Sequence, residues 1–200
     1  EGQSSASSLT GGITARDFTK TGPGTLVIGG TGNLLNTNDA RLPLVSIQDG
    51  TMRFASSGAA FQLNNVNRNT AAGNLLGHFA LNVNEAGVFD LNGLNISIAG
   101  LTGNGTIRSN IAGPATLGVL NGLGVDVTWS GRTTDGSGTV SLLKSGAGIL
   151  TVNGFGDYSG GTTIRSGKIN VAVGNATPRG YLEAQTVNSL GSGMVTLEGG

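Results

Sequence analysis

The chain is predicted to fold as an all-β, parallel β-solenoid, and three observations carry that prediction. First, one strand-and-glycine unit is written twice. Lys20-Thr21-Gly22-Pro23-Gly24-Thr25-Leu26-Val27-Ile28-Gly29-Gly30 returns 124 positions later as Lys144-Ser145-Gly146-Ala147-Gly148-Ile149-Leu150-Thr151-Val152-Asn153-Gly154. Internal self-similarity of this kind marks stacked, quasi-one-dimensional architectures. Second, apolar residues alternate over short runs and seldom show helical spacing, which is the signal of short half-buried strands. Third, glycine makes up 37 of 200 residues, where about 7% is usual, so turns are frequent.

In chain order the alternation predicts strands over 26–28, 45–47, 51–54, 79–83 and 88–91. It continues with 94–98, 106–107, 125–129 and 139–142, then 149–152, 162–164, 168–173 and 194–197. Turn formers close the gaps, as at Asn92-Gly93, Asn104-Gly105, Asp135-Gly136, Ser166-Gly167 and Gly191-Ser192-Gly193. Strands this short are weak alone and gain stability when each coil pairs with the coil above and below. Small and apolar side chains then stack inward, and glycine and asparagine take the left-handed corners. The recurrence of Asn82, Asn84, Asn92, Asn95 and Asn104 predicts amide ladders. With coils of roughly 20–25 residues stacked about 4.8 Å apart, the chain would form eight to ten coils and a rod roughly 40–50 Å long. A β-sandwich or jelly roll competes, because Asn-Gly and Asp-Gly also close hairpins. The 4% aromatic content and the long repeat argue against it.

Composition excludes several classes of function. The 11 basic and 11 acidic residues cancel, and charged residues are 11% against roughly 25% in ordinary domains. Nothing is built to neutralise a phosphate backbone, so no nucleic-acid partner is expected. Only four prolines accompany the glycines and no three-residue period appears, which excludes collagen. Hydrophobic residues at 37% with zero net charge fit disorder poorly. The absence of cysteine removes disulfides and thiolate metal sites, and suits a protein that crosses a membrane unfolded. No apolar run reaches the roughly 18 residues of a membrane helix, so no membrane insertion by this segment is expected. The start at Glu1 reads as a processed or excised piece of something longer.

Residues 143–154, followed by Tyr158-Ser159-Gly160-Gly161-Thr162-Thr163-Ile164-Arg165-Ser166-Gly167-Lys168-Ile169, resemble the autotransporter-associated β-strand repeat. The pattern is lysine, a small residue, Gly-x-Gly, an alternating strand, then Tyr-Ser/Thr-Gly-Gly-Thr-Thr, a strand residue and Gly. Ser189-Leu190-Gly191-Ser192-Gly193-Met194-Val195-Thr196-Leu197 is similar to its usual sequel. The first copy is degenerate: residues 31–43 replace the Tyr-Ser-Gly-Gly-Thr-Thr turn before Ile47 and Gly50 resume the pattern, with about seven extra residues expected in a corner loop. The resemblance touches most of 17–200 and implies a right-handed, single-stranded parallel β-helix from the passenger region of a Gram-negative autotransporter. It implies a place on the outer surface of the cell, and does not imply a substrate. Tyr158 is expected to lie flat over glycines of the next coil.

For chemistry, the sequence offers little. His78 is the sole histidine, so a Ser-His-Asp relay or multi-His metal site would rest on one residue. Ser141-Leu142-Leu143-Lys144 matches Ser-x-x-Lys, yet that chemistry needs a helical turn, and in a strand positions i and i+3 face opposite ways. The acids Asp17, Asp39, Asp49, Glu85, Asp90, Asp126, Asp135, Asp157 and Glu183 are scattered singly. Among them Asp90 and Asp126 lie within strands, and carboxylates about 5–9 Å apart would permit glycosidase chemistry. Trp129 is expected in the core. The sequons at Asn95, Asn104 and Asn175 carry little weight in an Asn-rich chain.

The expectation is thus a single solenoid segment over 1–200, with an irregular start at 1–16 and repeat units near 17–54 and 140–171. It has no catalytic, cofactor-binding or metal-binding residues and no cofactor. Its expected role is a non-enzymatic surface scaffold that displays or adheres. Its partners would be neighbouring β-helical coils, further copies of itself stacked into a fibre, or host or matrix glycans or proteins. A polysaccharide lyase or hydrolase on the same fold is the alternative.

Overall fold

The computed structural model describes residues 6–30, 34–35, 42–57, 62–63, 79–122, 124–172 and 189–198. Twenty strands occur among the described residues. They begin with β1 (Ala6–Leu9), β2 (Thr14–Ala15), β3 (Phe18–Lys20), β4 (Thr25–Ile28), β5 (Leu34–Leu35), β6 (Leu44–Phe54) and β7 (Gln62–Leu63). The middle of the chain forms β8 (Ala80–Asp90), β9 (Asn95–Ile98), β10 (Gly100–Gly103), β11 (Thr106–Arg108), β12 (Pro114–Leu120), β13 (Val127–Trp129) and β14 (Arg132–Thr134). The remainder are β15 (Thr139–Ser145), β16 (Ile149–Val152), β17 (Gly156–Asp157), β18 (Thr162–Ile164), β19 (Lys168–Val171) and β20 (Val195–Leu197).

Each strand pairs in parallel with strands one coil away, and among the described residues none pairs with its chain neighbour. That is the topology of a parallel β-helix and not of a hairpin-built sandwich. One column of strands stacks β3, the first half of β6, the first half of β8, β10, β13, β16 and β19. A second stacks β1, β4, the second halves of β6 and β8, β11, β14 and β17. The third position of the coil is filled by β2, β5 and β7 and then by β9, β12, β15, β18 and β20. The first two columns share one 12-stranded sheet because β6 and β8 run without a break around their common corner. A register shift between Ile47 and Asp49 marks that bend.

Period-two alternation places one side of every strand in the core. Met52 registers on Phe89 and Phe89 on Ile107, and all three are fully buried. Phe54 packs edge-to-face on Phe79 and Phe89, with ring centroids 6.4 and 6.0 Å apart, a preferred aromatic arrangement. Trp129 is buried in the core, and its Nε1 donates to Thr133 Oγ1 at 3.1 Å. Tyr158 is buried as well, and a Cβ added at Gly156 or Gly191 would meet its ring. The ring thus lies against the backbone of Gly156 in its own coil and of Gly191 in the following one.

Among the described residues the columns hold seven or eight rungs, and coil length is uneven. Thr51 to its partner Val88 spans 37 residues, and Val88 to its partner Thr106 spans 18. Two expectations need correction. The predicted strands 45–47 and 51–54 are one element, as are 79–83 and 88–91. The asparagines do not stack on one another along the rod. Asn82 Nδ2 donates to Ser46 Oγ at 3.3 Å and to Asn84 Oδ1 at 2.7 Å, and its Oδ1 accepts from Thr102 Oγ1 at 3.1 Å. The ladder alternates amide with hydroxyl, since neighbouring coils present Ser and Thr at that register. The predicted loop over 31–43 falls mostly outside the described residues.

Candidate functional site: lysine corners and a polar groove

The repeated unit builds the same corner twice. Lys20 Nζ donates to the carbonyl oxygens of Thr21 at 2.9 Å, Gly22 at 2.5 Å and Asp49 at 3.0 Å. Lys144 Nζ donates to those of Ser145 at 2.8 Å, Gly146 at 2.7 Å and Ser166 at 3.3 Å. An ammonium has three donors, and here two close the corner beneath it while the third reaches the following coil. In that coil Gly50 and Gly167 adopt φ of +70° and +74°. A Cβ at Gly50 would run into the carbonyls of Gly22 and Gly24, and one at Gly167 into those of Gly146 and Gly148. Lysine, Gly-x-Gly and the later glycine are thus one two-coil clasp.

The two clasps lie on different corners of the solenoid. Lys20 belongs to the 12-stranded sheet, and its Gly-x-Gly leads into β4 in the second column. Lys144 belongs to the five-stranded sheet, and its Gly-x-Gly leads into β16 in the first column. An offset of 124 residues therefore does not correspond to a whole number of coils. Lys144 sits in an interior column with Ile98, Val119 and Ile164 and is fully buried. Desolvation lowers its pKa from 10.5 to about 8.

A shallow groove of about 400 Å³ crosses the five-stranded sheet over β9, β12, β15 and β18. The register sets its walls: Asn95, Thr116 and Ser141 align along the rod, and so do Ser97, Gly118, Leu143 and Thr163. Gly118 interrupts the second line, so the backbone of β12 forms the floor. Ser141 Oγ donates to Gly160 O at 3.1 Å, and Asn95 Oδ1 accepts from Thr116 N at 3.0 Å. At one end Arg165 is paired with Glu198 at 2.7 Å.

The carboxylates that the sequence offers for catalysis hold the backbone in place instead. Asp90 is buried, and its Oδ1 accepts from the N–H groups of Asn92 at 2.9 Å and Asn110 at 3.1 Å. Asp126 Oδ1 accepts from Ile149 N at 2.9 Å. Asp90 ends β8 in the second column, whereas Asp126 precedes β13 of the first column and lies outside the strand expected to contain it. Asp135 joins two segments, Oδ1 accepting from Val140 N at 2.7 Å and Oδ2 from Ser159 N at 3.0 Å and Ser159 Oγ at 2.6 Å. Asp157 pairs with Arg132, which holds its carboxyl below the usual carboxylate range. Asp17 Oδ1 accepts from Leu44 N at 2.8 Å. Ser141 and Lys144 face opposite ways on β15, the hydroxyl outward and the ammonium inward. His78, Asp39, Glu183 and Asn175 lie outside the described residues. Among the described residues no three His, Cys, Asp or Glu side chains gather to hold a metal ion, and no helix is long and apolar enough to cross a membrane.

No family model matches the chain, and no solved structure matches it. The chain is 33% identical over 173 residues to the "Adhesin BmaC autotransporter" of Brucella suis biovar 1 (strain 1330), an alignment that covers 84% of this chain. The chain spans 4% of that relative's length.

Proposed function

We propose that this chain is a stretch of an autotransporter passenger, a non-enzymatic β-helical scaffold held on the outer surface of a Gram-negative cell and used in adhesion. The observation that carries the reading is a likeness to an autotransporter adhesin extending over 84% of the chain, joined to the stacking of parallel coils among the described residues. A solenoid suits display, because each coil contacts only its neighbours and length is added without a new core. The carboxylates support the scaffold role, since Asp90, Asp126 and Asp135 are spent on backbone N–H groups. Neighbouring coils of the same parent chain are the first partner. Val171, Val195 and Leu197 on the outermost described rungs are 47%, 47% and 73% exposed, an apolar edge that further coils or a second copy would cover.

The test is display. The chain is fused to an autotransporter membrane barrel in a Gram-negative host, and surface exposure and attachment to epithelial cells or immobilised matrix are measured. Protease-accessible surface chain with increased attachment is the expected result. Surface exposure without attachment would reduce the reading to a spacer, and retention inside the cell would overturn it.

A further inference from the structure

We propose that the groove across β9, β12, β15 and β18 is a binding site for a neutral glycan. This inference rests on the adhesive reading above and names the partner class that the reading leaves open.

Backbone recognition is closed at this surface. β12 is hydrogen-bonded in parallel to β9 on one side and to β15 on the other, and β15 is likewise flanked by β12 and β18. A peptide that binds by adding a strand needs an unpaired edge, and the middle of the groove has none. What it offers is side-chain chemistry on a fixed pitch: Asn95, Thr116 and Ser141 in one line, with Ser97 and Thr163 in the other. Neighbouring rungs are set about 4.8 Å apart by the parallel stacking, so Asn95, Thr116 and Ser141 follow one another at that pitch while Gly118 and Leu143 separate Ser97 from Thr163. Ser141 Oγ and Asn95 Oδ1 are each anchored by a backbone bond. Anchoring leaves lone pairs on the serine oxygen and the amino hydrogens of the amide to meet a ligand in a set geometry.

Charge selects among hydroxyl-rich ligands. Among the described residues Arg165 is the only charged one lining the groove, and it is engaged with Glu198. An acidic or sulfated chain would have to displace that carboxylate, and a nucleic acid would find no other cation along these walls. A purely apolar partner fits no better, because Leu143 is the one large apolar side chain half-open among the polar ones. That single apolar patch between hydroxyls matches a sugar ring, which presents C–H groups on one face and hydroxyls at its edge. The volume of about 400 Å³ is within the range of small-molecule sites, roughly 300–1,000 Å³.

The experiment uses the 200-residue chain on an array of immobilised neutral oligosaccharides (glucans, mannans, galactans and N-acetylglucosamine oligomers), with heparin fragments as the acidic arm. Hits are followed by calorimetry. Thr116→Val and Thr163→Val keep shape and strand preference while removing one hydroxyl each, and Thr128→Val on β13 is the control away from the groove. The expected result is binding of a neutral oligosaccharide that the double variant weakens about tenfold, with unchanged melting and no effect of the control. Binding unmoved by the groove variants, binding of heparin fragments alone, or no binding at all would each overturn the proposal. Attachment of displaying cells separates this inference from the adhesive reading. Attachment that survives both groove substitutions sinks the groove alone, whereas glycan binding without attachment sinks the adhesive reading alone.

Discussion

At the scale of single residues, the energetics turn on a few groups the fold has enclosed. Lys144 is buried with three carbonyl oxygens and titrates near 8, against an ordinary 10.5, because burial penalises its charge. Between those two values the unfolded chain holds a proton that the folded chain has released, so stability rises with pH through that interval. Below about 8 both states are protonated and the cost of burial is present in full. Tyr158 works in the other direction. Burial raises its pKa from 10.0 to about 12, opposed in part by its hydrogen bond with Thr162. From about 10 to 12 the unfolded chain ionises first, and stability falls. Urea midpoints recorded across this range should therefore climb from about pH 8 toward 10 and then drop. Lys144→Met should flatten the climb and Tyr158→Phe the drop, whatever either does to the midpoint at neutral pH. Gly167 makes a simpler case. Its φ of +74° and the carbonyls of Gly146 and Gly148 leave no room for a Cβ, so Gly167→Ala should cost about 1–3 kcal/mol in chemical denaturation.

At the scale of the element, short strands are made by their neighbours as much as by their own composition. Asp135 shows how one side chain serves several strands: its two oxygens hold Val140 at the start of β15 and Ser159 ahead of β18. Asp135→Ala should destabilise by about 1–3 kcal/mol, because the N–H of the buried Val140 loses its acceptor. Asp135→Asn should recover part of that loss, and urea denaturation of the three proteins measures the difference. The same dependence explains which strands are legible in the sequence. Strands with β-branched alternation and flanking turn residues, such as β8, β13, β16 and β19, stand out from their residues alone. β12 does not, because Pro114 opens it and Gly118 interrupts it. Yet Ala115, Leu117 and Val119 alternate inward as cleanly as any others. β10 begins and ends on glycine, which hides it in the same way. The groove is hidden for a further reason. Asn95, Thr116, Ser141 and Thr163 become neighbours only through register, and nothing local to any of them records it. The lysine clasp sits between these cases: the repeat shows its residues, while the carbonyls that hold each ammonium emerge only from the turn geometry.

At the scale of the whole molecule, stability is a sum of neighbouring-coil terms with no single centre. Loss of one coil should leave coils on both sides able to close on each other, at the cost of one interface. In an autotransporter that closure would occur outside the cell, and folding there would draw the rest of the chain outward. Shortening the 143–169 unit removes a clasp and the rungs β16 and β18. In the displayed fusion it should slow the appearance of protein at the surface, measured as protease-accessible chain against time. Export at an unchanged rate would refute that coupling. The charge pattern adds a second expectation at this scale. Among the described residues the ion pairs of Arg132 with Asp157 and Arg165 with Glu198 are exposed and contribute little, and Arg53 reaches the buried, poorly screened Asp90 at 3.9 Å, so melting should vary little with salt.

Because Lys20 and Lys144 close different bends of the rod, the cassette is indifferent to which bend it serves. Duplication or deletion of such a cassette during evolution need not preserve phase around the axis. Each event is free to rotate what comes after it, presenting a fresh stripe of side chains to the outside while the interior stays sealed. Spacing between cassettes would then be a poor guide to kinship among such rods, and the way each bend is closed a better one.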